Sequence, residues 1–269
     1  MLPILQIGPL AIQFPGLILL AGVWLGLSLA ERHAPRYGLT ANKLDNLVLL
    51  GLLAGLVGAR LSYVLRFPAI FIETPISLIS LNPGLLDPAG GLLVGAFAML
   101  VYGQRKGLPF WDTLDALTPL LAVFAVAWGL ANLASGEGFG APADVPWAIP
   151  LWGANRHPTQ IYDTLAALLI LALLWPGRGG LDRWLPAFTA AKPGVRFFVF
   201  LALSALARLF FETFRGDSHL TLAGLRTAQV IAWVVLAGCL LALSYRLFAS
   251  PTENQTGLPQ DSKPLVEEK

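Results

Sequence analysis

Seven apolar runs, most close to membrane-crossing length, alternate with shorter polar stretches along the chain. They lie at about residues 10–30, 45–65, 89–103, 116–134, 160–175, 196–214 and 228–248, the third and fifth being short. Roughly 20 residues of helix cross the hydrocarbon core of a bilayer. The runs are continuous rather than alternating, which excludes a transmembrane barrel. The pattern predicts an all-α polytopic membrane protein of about seven transmembrane helices. A further apolar patch, Pro75 to Leu86, is broken by Pro75, Pro83 and Gly84. It predicts an interfacial or re-entrant segment, tolerated only where protein or water covers its backbone. No basic start precedes the first run, so it reads as a span rather than a cleaved signal. Residues 1–250 form one integral membrane domain, and the polar tail 251–269 is expected to be disordered and cytosolic.

Composition agrees with this reading. The chain is 56% hydrophobic and 13% charged, with a mean hydropathy of +0.67. That is too apolar for a soluble domain. The single cysteine, Cys239, lies in an apolar run and has no partner for an internal disulfide. The distribution of charge says more than the net +2. Twelve Lys and Arg residues fall in the stretches after the first, third, fifth and seventh runs. Only Arg66, Arg156, Arg215 and Arg226 fall in the opposite ones. The positive-inside bias then predicts an N-terminus outside and a C-terminus in the cytosol.

Small residues recur at four-residue spacing in run two (Gly51, Gly55, Ala59) and run three (Gly91, Gly95). The plain reading is close helix packing. No internal repeat of the kind found in inverted-repeat transporters is evident.

The polar residues inside this apolar framework carry the candidate chemistry. Eight of the nine residues from Asn155 to Asp163 are polar or proline, directly before an apolar run. Arg60, followed by Tyr63, lies near the outer end of run two. Asn132, Ser135 and Glu137 close run four. Arg208 and Glu212 stand four residues apart in run six, with Arg215 one turn on. Ionisable groups at membrane depth are costly unless paired or hydrated, so each is a functional candidate. Each also has a plainer explanation. Arg208 and Glu212 pair on one helix face, Arg60 snorkels to headgroups, His157 is an interfacial histidine and Glu137 a solvated loop acid. Together they place several cations on the outer side of one bundle, with Arg215 in excess. That suits an anionic phospholipid headgroup.

These residues carry a resemblance to a known family, the phosphatidylglycerol–prolipoprotein diacylglyceryl transferases, from about Ile7 to Arg246. Ile7-Gly8-Pro9-Leu10 is similar to the family's start, and Gly58 to Val64 to its Gly-x-Arg-x-x-Tyr stretch. Asn132 to Gly140 resembles its long signature, with Asn, Gly-Glu and a final Gly. Arg156-His157-Pro158-Thr159-Gln160-Ile161-Tyr162 is very close to its Arg-His-Pro-Ser-Gln-x-Tyr motif. Arg208, Glu212 and Arg215 match its charged sixth span. The chain also departs from the family. Ala89 stands where the family has a histidine before its paired glycines, here Gly90 and Gly91. Gly129 stands where its signature has an arginine, and Pro15 where it has a tyrosine.

The resemblance implies a multi-pass protein of the bacterial plasma (inner) membrane, acting as a monomer. It implies transfer of a diacylglyceryl group from phosphatidylglycerol to the lipobox cysteine of prolipoprotein signal peptides. Such a transfer needs a thiolate, cationic stabilisation of the phosphate leaving group, and an apolar groove for the acyl chains. It uses no metal or other cofactor, and no nucleic acid takes part. Carried over, the resemblance makes Arg208, His157 and Glu212 the catalytic candidates. The substrate-binding candidates are Arg60, Tyr63, Asn132, Glu137, Gly140, Arg156, Gln160, Tyr162 and Arg215. His157 is then the imidazole available to replace the missing histidine as base. The two departures leave a second expectation open, a catalytically impaired paralogue that binds anionic phospholipid or lipoprotein precursors.

Overall fold

The computed structural model describes residues 4–7, 10–79, 83–175, 192–218, 220 and 224–248. The tail after residue 250 lies outside the described residues, as do Arg178, Arg183 and part of the family-like start. Eight helices are described: α1 (Phe14–His33), α2 (Ala41–Arg66), α3 (Pro68–Glu73), α4 (Pro88–Arg105), α5 (Phe110–Ser135), α6 (Thr159–Leu173), α7 (Val195–Phe211) and α8 (Thr227–Phe248). Two small antiparallel hairpins accompany them: β1 (Ile4–Ile7) with β2 (Leu10–Gln13), and β3 (Ile149–Leu151) with β4 (Ala154–Arg156). Five stretches, Phe14–Tyr37, Ala41–Arg66, Phe110–Ser135, Val195–Phe214 and Thr227–Leu247, are helical, long and apolar enough to cross a membrane. The helix α6 is apolar but shorter. The chain is a helical protein of polytopic membrane type.

The outward faces are apolar, as lipid contact requires. Leu20, Leu65, Leu92 and Val234 are largely exposed, which in water would mark patches awaiting cover. The interior is built on α5, which packs against α1, α6 and α7. Its buried Leu117 and Leu120 join Ala30, Ala34, Leu44 and Leu47 in the main core. Asp115 of α5 is buried, and its carboxylate accepts the Gly194 and Phe197 amides at 2.7 and 2.8 Å. It thereby satisfies orphan N–H groups at the start of α7.

The glycine spacing of runs two and three is a packing seam. The Gly55 carbonyl would lie 2.9 Å from a Cβ built on Gly91, and the Gly51 carbonyl 2.8 Å from one built on Gly95. Only glycine lets α2 and α4 approach this closely. The same seam carries Arg60, which does not reach freely toward headgroups. Its guanidinium donates to the carbonyls of Leu85 (2.8 Å) and Ser77 (2.5 Å). The broken apolar patch therefore forms short 3₁₀ turns at Pro75–Ile79 and Pro83–Leu85 pinned to α2. Their backbone is partly satisfied by an arginine rather than by a continuous helix.

Candidate active site

The polar segment Asn155 to Asp163 starts in β4 and ends in the second turn of α6. Pro158 interrupts backbone donation where the helix begins, a position proline tolerates. The loop leaving α5 folds against this start. Gly136 takes a left-handed φ of +82°, and its amide closes α5 on the Asn132 carbonyl, the usual glycine ending of a helix. Thr159 Oγ1 donates to the Gly138 carbonyl at 2.7 Å, and Gln160 Nε2 to the Glu137 carbonyl at 3.0 Å. Both side chains are almost wholly buried. A Cβ on Gly140 would collide with the His157 carbonyl and lie 2.7 Å from its Cβ. Gly140 is thus required by the close passage of His157.

The signature loop also meets the charged end of α7. Gly140 pairs with Arg215, the Ala141 amide donates to the Phe214 carbonyl, and the Gly216 amide to Phe139. A Cβ at Gly138 would stand 3.2 Å from the Arg215 guanidinium and 3.3 Å from Asn132 Nδ2. Asn132, Gly138, Gly140 and Arg215 are therefore neighbours, although α6 and α7 intervene between them in sequence.

The helix α7 stops at Phe211, and Glu212–Phe214 tightens into a 3₁₀ turn. Arg208 Nε lies 3.0 Å from Glu212 Oε2, and Arg215 Nε lies 3.7 Å from the same oxygen. That oxygen has no hydrogen-bond partner, so charge rather than directed bonding holds it. Ser218 donates to the other oxygen at 2.6 Å. Glu212 is 1% exposed, Arg215 9% and Arg208 38%. Arg215 is clamped in bidentate fashion by Asp217, at 3.0 and 2.8 Å, and its Nη1 lies 3.3 Å from Asp163 Oδ2. Asp163 also lies 3.9 Å from Arg208. Arg226 donates to the backbone carbonyls of Glu212 and Arg215 and to Ser218 Oγ.

This arrangement revises the charge reading. Local spacing leaves Arg215 in excess, but Asp163 arrives from α6 and Asp217 from the following loop. Arg208 and Arg215 face the three carboxylates of Asp163, Glu212 and Asp217, while Arg226 is held by backbone carbonyls and Ser218. Arg208 alone among them combines substantial exposure with a position on open space.

Three cavities meet at Arg208. A groove of about 340 Å³ runs between α5, α6 and α7, lined by Phe124, Trp128, Ala167 and Phe200, with Asp163 and Arg208 at its polar end. A second apolar groove of about 270 Å³ lies between α7 and α8, lined by Leu201, Ile231 and Val235. A polar pocket of about 330 Å³ lies between them, lined by Arg208, Glu212, Arg215, Asp217 and Ser218.

The other sequence candidates fall into four groups. His157 Nδ1 lies 3.3 Å from the Tyr162 hydroxyl, and its ring packs against Phe214 at 5.1 Å. Arg156 stacks on Phe139 at 4.9 Å and donates to the Leu151 and Gly140 carbonyls, which ties the β3–β4 hairpin to the signature loop. Glu137 presents its side chain to the surface. Arg60 and Tyr63 stand in a different corner, where Tyr63 stacks near Phe67 and Phe71. Ala89 is there too, exposed at the start of α4, its amide held by the Asp87 cap. No described contact joins that corner to the Arg208 cluster. Sequence reasoning missed Asp163, Asp217 and Ser218 as site residues. The acidic Asp163 at membrane depth was the one available signal.

Fold and site together define a helical, multi-pass type of membrane protein whose ion-paired cluster opens onto apolar grooves between helices. The chain belongs to the prolipoprotein diacylglyceryl transferase family, whose model it matches over residues 3–245. It is 32% identical over 251 residues to the phosphatidylglycerol–prolipoprotein diacylglyceryl transferase of Synechococcus elongatus, covering 89% of this chain and 85% of that one. The protein of the same name from Rhizobium leguminosarum is 33% identical over 228 residues, covering 78% and 77%. That from Aromatoleum aromaticum is 37% identical over 180 residues, covering 63% and 68%.

Proposed function

We propose that this protein transfers the diacylglyceryl group of phosphatidylglycerol to the cysteine thiol of a prolipoprotein lipobox. The observation that carries the reading is the position of Arg208, a partly exposed cation where two apolar grooves and a polar pocket meet. Acyl chains suit the grooves, and the phosphate suits the arginine. The thiol gives up its proton, the thiolate attacks the glyceryl carbon, and the carbon–oxygen bond to phosphate breaks. Glycerol phosphate leaves with that electron pair and gains a negative charge. Arg208 offsets the gain, Glu212 orients Arg208, and Asn132 hydrogen-bonds the departing headgroup. Arg215, Gly140, Gln160 and Arg156 hold the walls of this space. Arg60 and Tyr63 organise the turns above α2, apart from this space.

The same reading places the protein in the bacterial plasma membrane as a monomer with seven crossings. The helices α4 and α6 are its two short spans, its N-terminus is outside and its C-terminus cytosolic. Support comes from the charge bias between loops and from the polar site's position on the less basic side. A paralogue that only binds anionic lipid is the weaker reading, because the similarity to transferases runs through nearly the whole chain.

The test is purified protein with phosphatidylglycerol and a lipobox peptide, with the thioether product read by mass spectrometry. Product from the native chain and its loss in Arg208→Ala are expected. A native chain that is folded, binds lipid and yields no thioether would overturn the reading.

A further inference from the structure

We infer that Trp147 is a positioning residue that sets the proton state of His157 through Tyr162. Trp147 lies in the loop before β3 and is 60% exposed. Its indole Nε1 donates to the Tyr162 hydroxyl at 2.7 Å. That hydroxyl lies 3.3 Å from His157 Nδ1. Phe211 and Phe214 wall the pair, at 5.7 Å from the Tyr162 ring and 5.1 Å from the His157 ring.

The direction of this chain follows from its donors. An indole N–H only donates, so Tyr162 oxygen accepts from it. The tyrosine has one proton of its own, and His157 Nδ1 is its protein acceptor among the described residues. In the reverse order Tyr162 would accept twice and its proton would find no protein partner among the described residues. The consistent arrangement makes Nδ1 an acceptor and places the proton of neutral His157 on Nε2. Which ring nitrogen is protonated is thereby decided by a tryptophan two contacts away.

The consequence deepens the proposed transfer and rests on it. With Nε2 already carrying a proton, the basic nitrogen of His157 faces Tyr162. A thiol proton therefore reaches His157 through the hydroxyl. The S–H bond breaks and its proton joins Tyr162 oxygen, while the tyrosine's own proton moves to Nδ1. The electron pair left on sulfur attacks the glyceryl carbon, the carbon–oxygen bond breaks, and its pair leaves with glycerol phosphate. The imidazolium then returns a proton to that departing phosphate. Tyr162 is a relay in this scheme, and Trp147 fixes its orientation without touching substrate.

The test uses the full chain in lipid nanodiscs with ¹⁵N-labelled histidine. His157 is identified among the three histidines by loss of its signals in His157→Gln. The native chain is expected to show an Nε2–H tautomer at neutral pH. Trp147→Phe, which keeps a ring and deletes the donor, is expected to give a tautomer mixture. Tyr162→Phe cuts the same chain from the other side and is expected to do likewise. An Nδ1–H tautomer in the native chain, or one unchanged in both variants, overturns the inference. In the lipobox-peptide assay, Trp147→Phe is expected to lower kcat about ten-fold with KM for phosphatidylglycerol unchanged. Tyr162→Phe is expected to lower kcat by about 10²-fold, within the range for a lost proton-transfer group. Unchanged kcat in both variants overturns the relay. A native chain without transferase activity refutes the proposed function instead, and the tautomer then judges the positioning role alone.

Discussion

Gly129 and Thr164 leave no room between them for a side chain. A Cβ built on Gly129 collides with Thr164 Oγ1 and lies 3.1 Å from the Thr164 Cα and backbone nitrogen. Thr164 cannot simply turn away, because its hydroxyl donates to the Gln160 carbonyl at 2.7 Å. The position where the family resemblance expects an arginine is one of close approach between α5 and α6. Gly129→Arg is expected to destabilise by about 1–3 kcal/mol, the usual penalty of overpacking, and not to raise activity. Thermal unfolding in detergent and the lipobox-peptide assay check the two halves. A stable, faster variant would show that α6 yields.

Glu212 holds two arginines while almost fully buried. Glu212→Gln removes the charge and keeps the shape, leaving Arg208 and Arg215 under-compensated. Removing one partner of a buried pair costs about 3–5 kcal/mol. Arg208 is partly exposed, so the lower end is expected. Chemical denaturation reads it, and a change below about 1 kcal/mol would mean that Asp163 and Asp217 suffice.

Asp163 balances the cluster from another helix. Asp163→Asn removes a carboxylate that faces both Arg208 and Arg215. Binding of glycerol phosphate is expected to tighten several-fold, and the gain to fall with salt as surface electrostatics do. Isothermal titration at two ionic strengths measures both. Weakened binding would instead show that Asp163 is needed to aim Arg208 and Arg215.

Asp87 gives a pH dependence outside the spans. Ser62 Oγ donates to its carboxylate at 2.6 Å. That bond, then the Ala89 amide and the charge of Arg66, holds the carboxyl below its ordinary range against the opposing effect of desolvation. A depressed folded value means stabilisation that is present above the unfolded pKa of about 3.9. It is lost as pH falls through the folded value. Ser62→Ala is expected to lower the unfolding temperature at pH 7 and to differ less from the native chain at about pH 3. A constant difference at both pH values would remove Asp87 from the explanation.

The glycine seam between α2 and α4 is open to a direct test. Gly95→Val puts two methyls against the Gly51 carbonyl, which already lies 2.8 Å from the ideal Cβ position. A loss of about 1–3 kcal/mol is expected from overpacking, read by thermal unfolding in detergent. An unfolding temperature equal to the native one would show that α4 rolls aside.

Local pattern alone determined the helical membrane class, the ends of α4 and α6 to within a few residues, and the small-residue packing faces of α2 and α4. Each depends on neighbours along one helix, and hydropathy and small-residue spacing record such neighbours. The motif order also sufficed to identify the family. It placed Arg208, Glu212 and His157 among the polar residues worth weighing, since Arg208 and Glu212 sit four positions apart on one helix. Tertiary structure decided what those residues face. It brought Asp163 and Asp217 to the arginines and so removed the excess charge that spacing implied. It bound Arg60 to the carbonyls of Ser77 and Leu85 instead of leaving it to headgroups. It closed Gly129 against Thr164, and it turned Trp147 onto Tyr162. In each case the partner comes from another helix or loop. No periodicity encodes the distance between groups that only folding brings within a few ångströms.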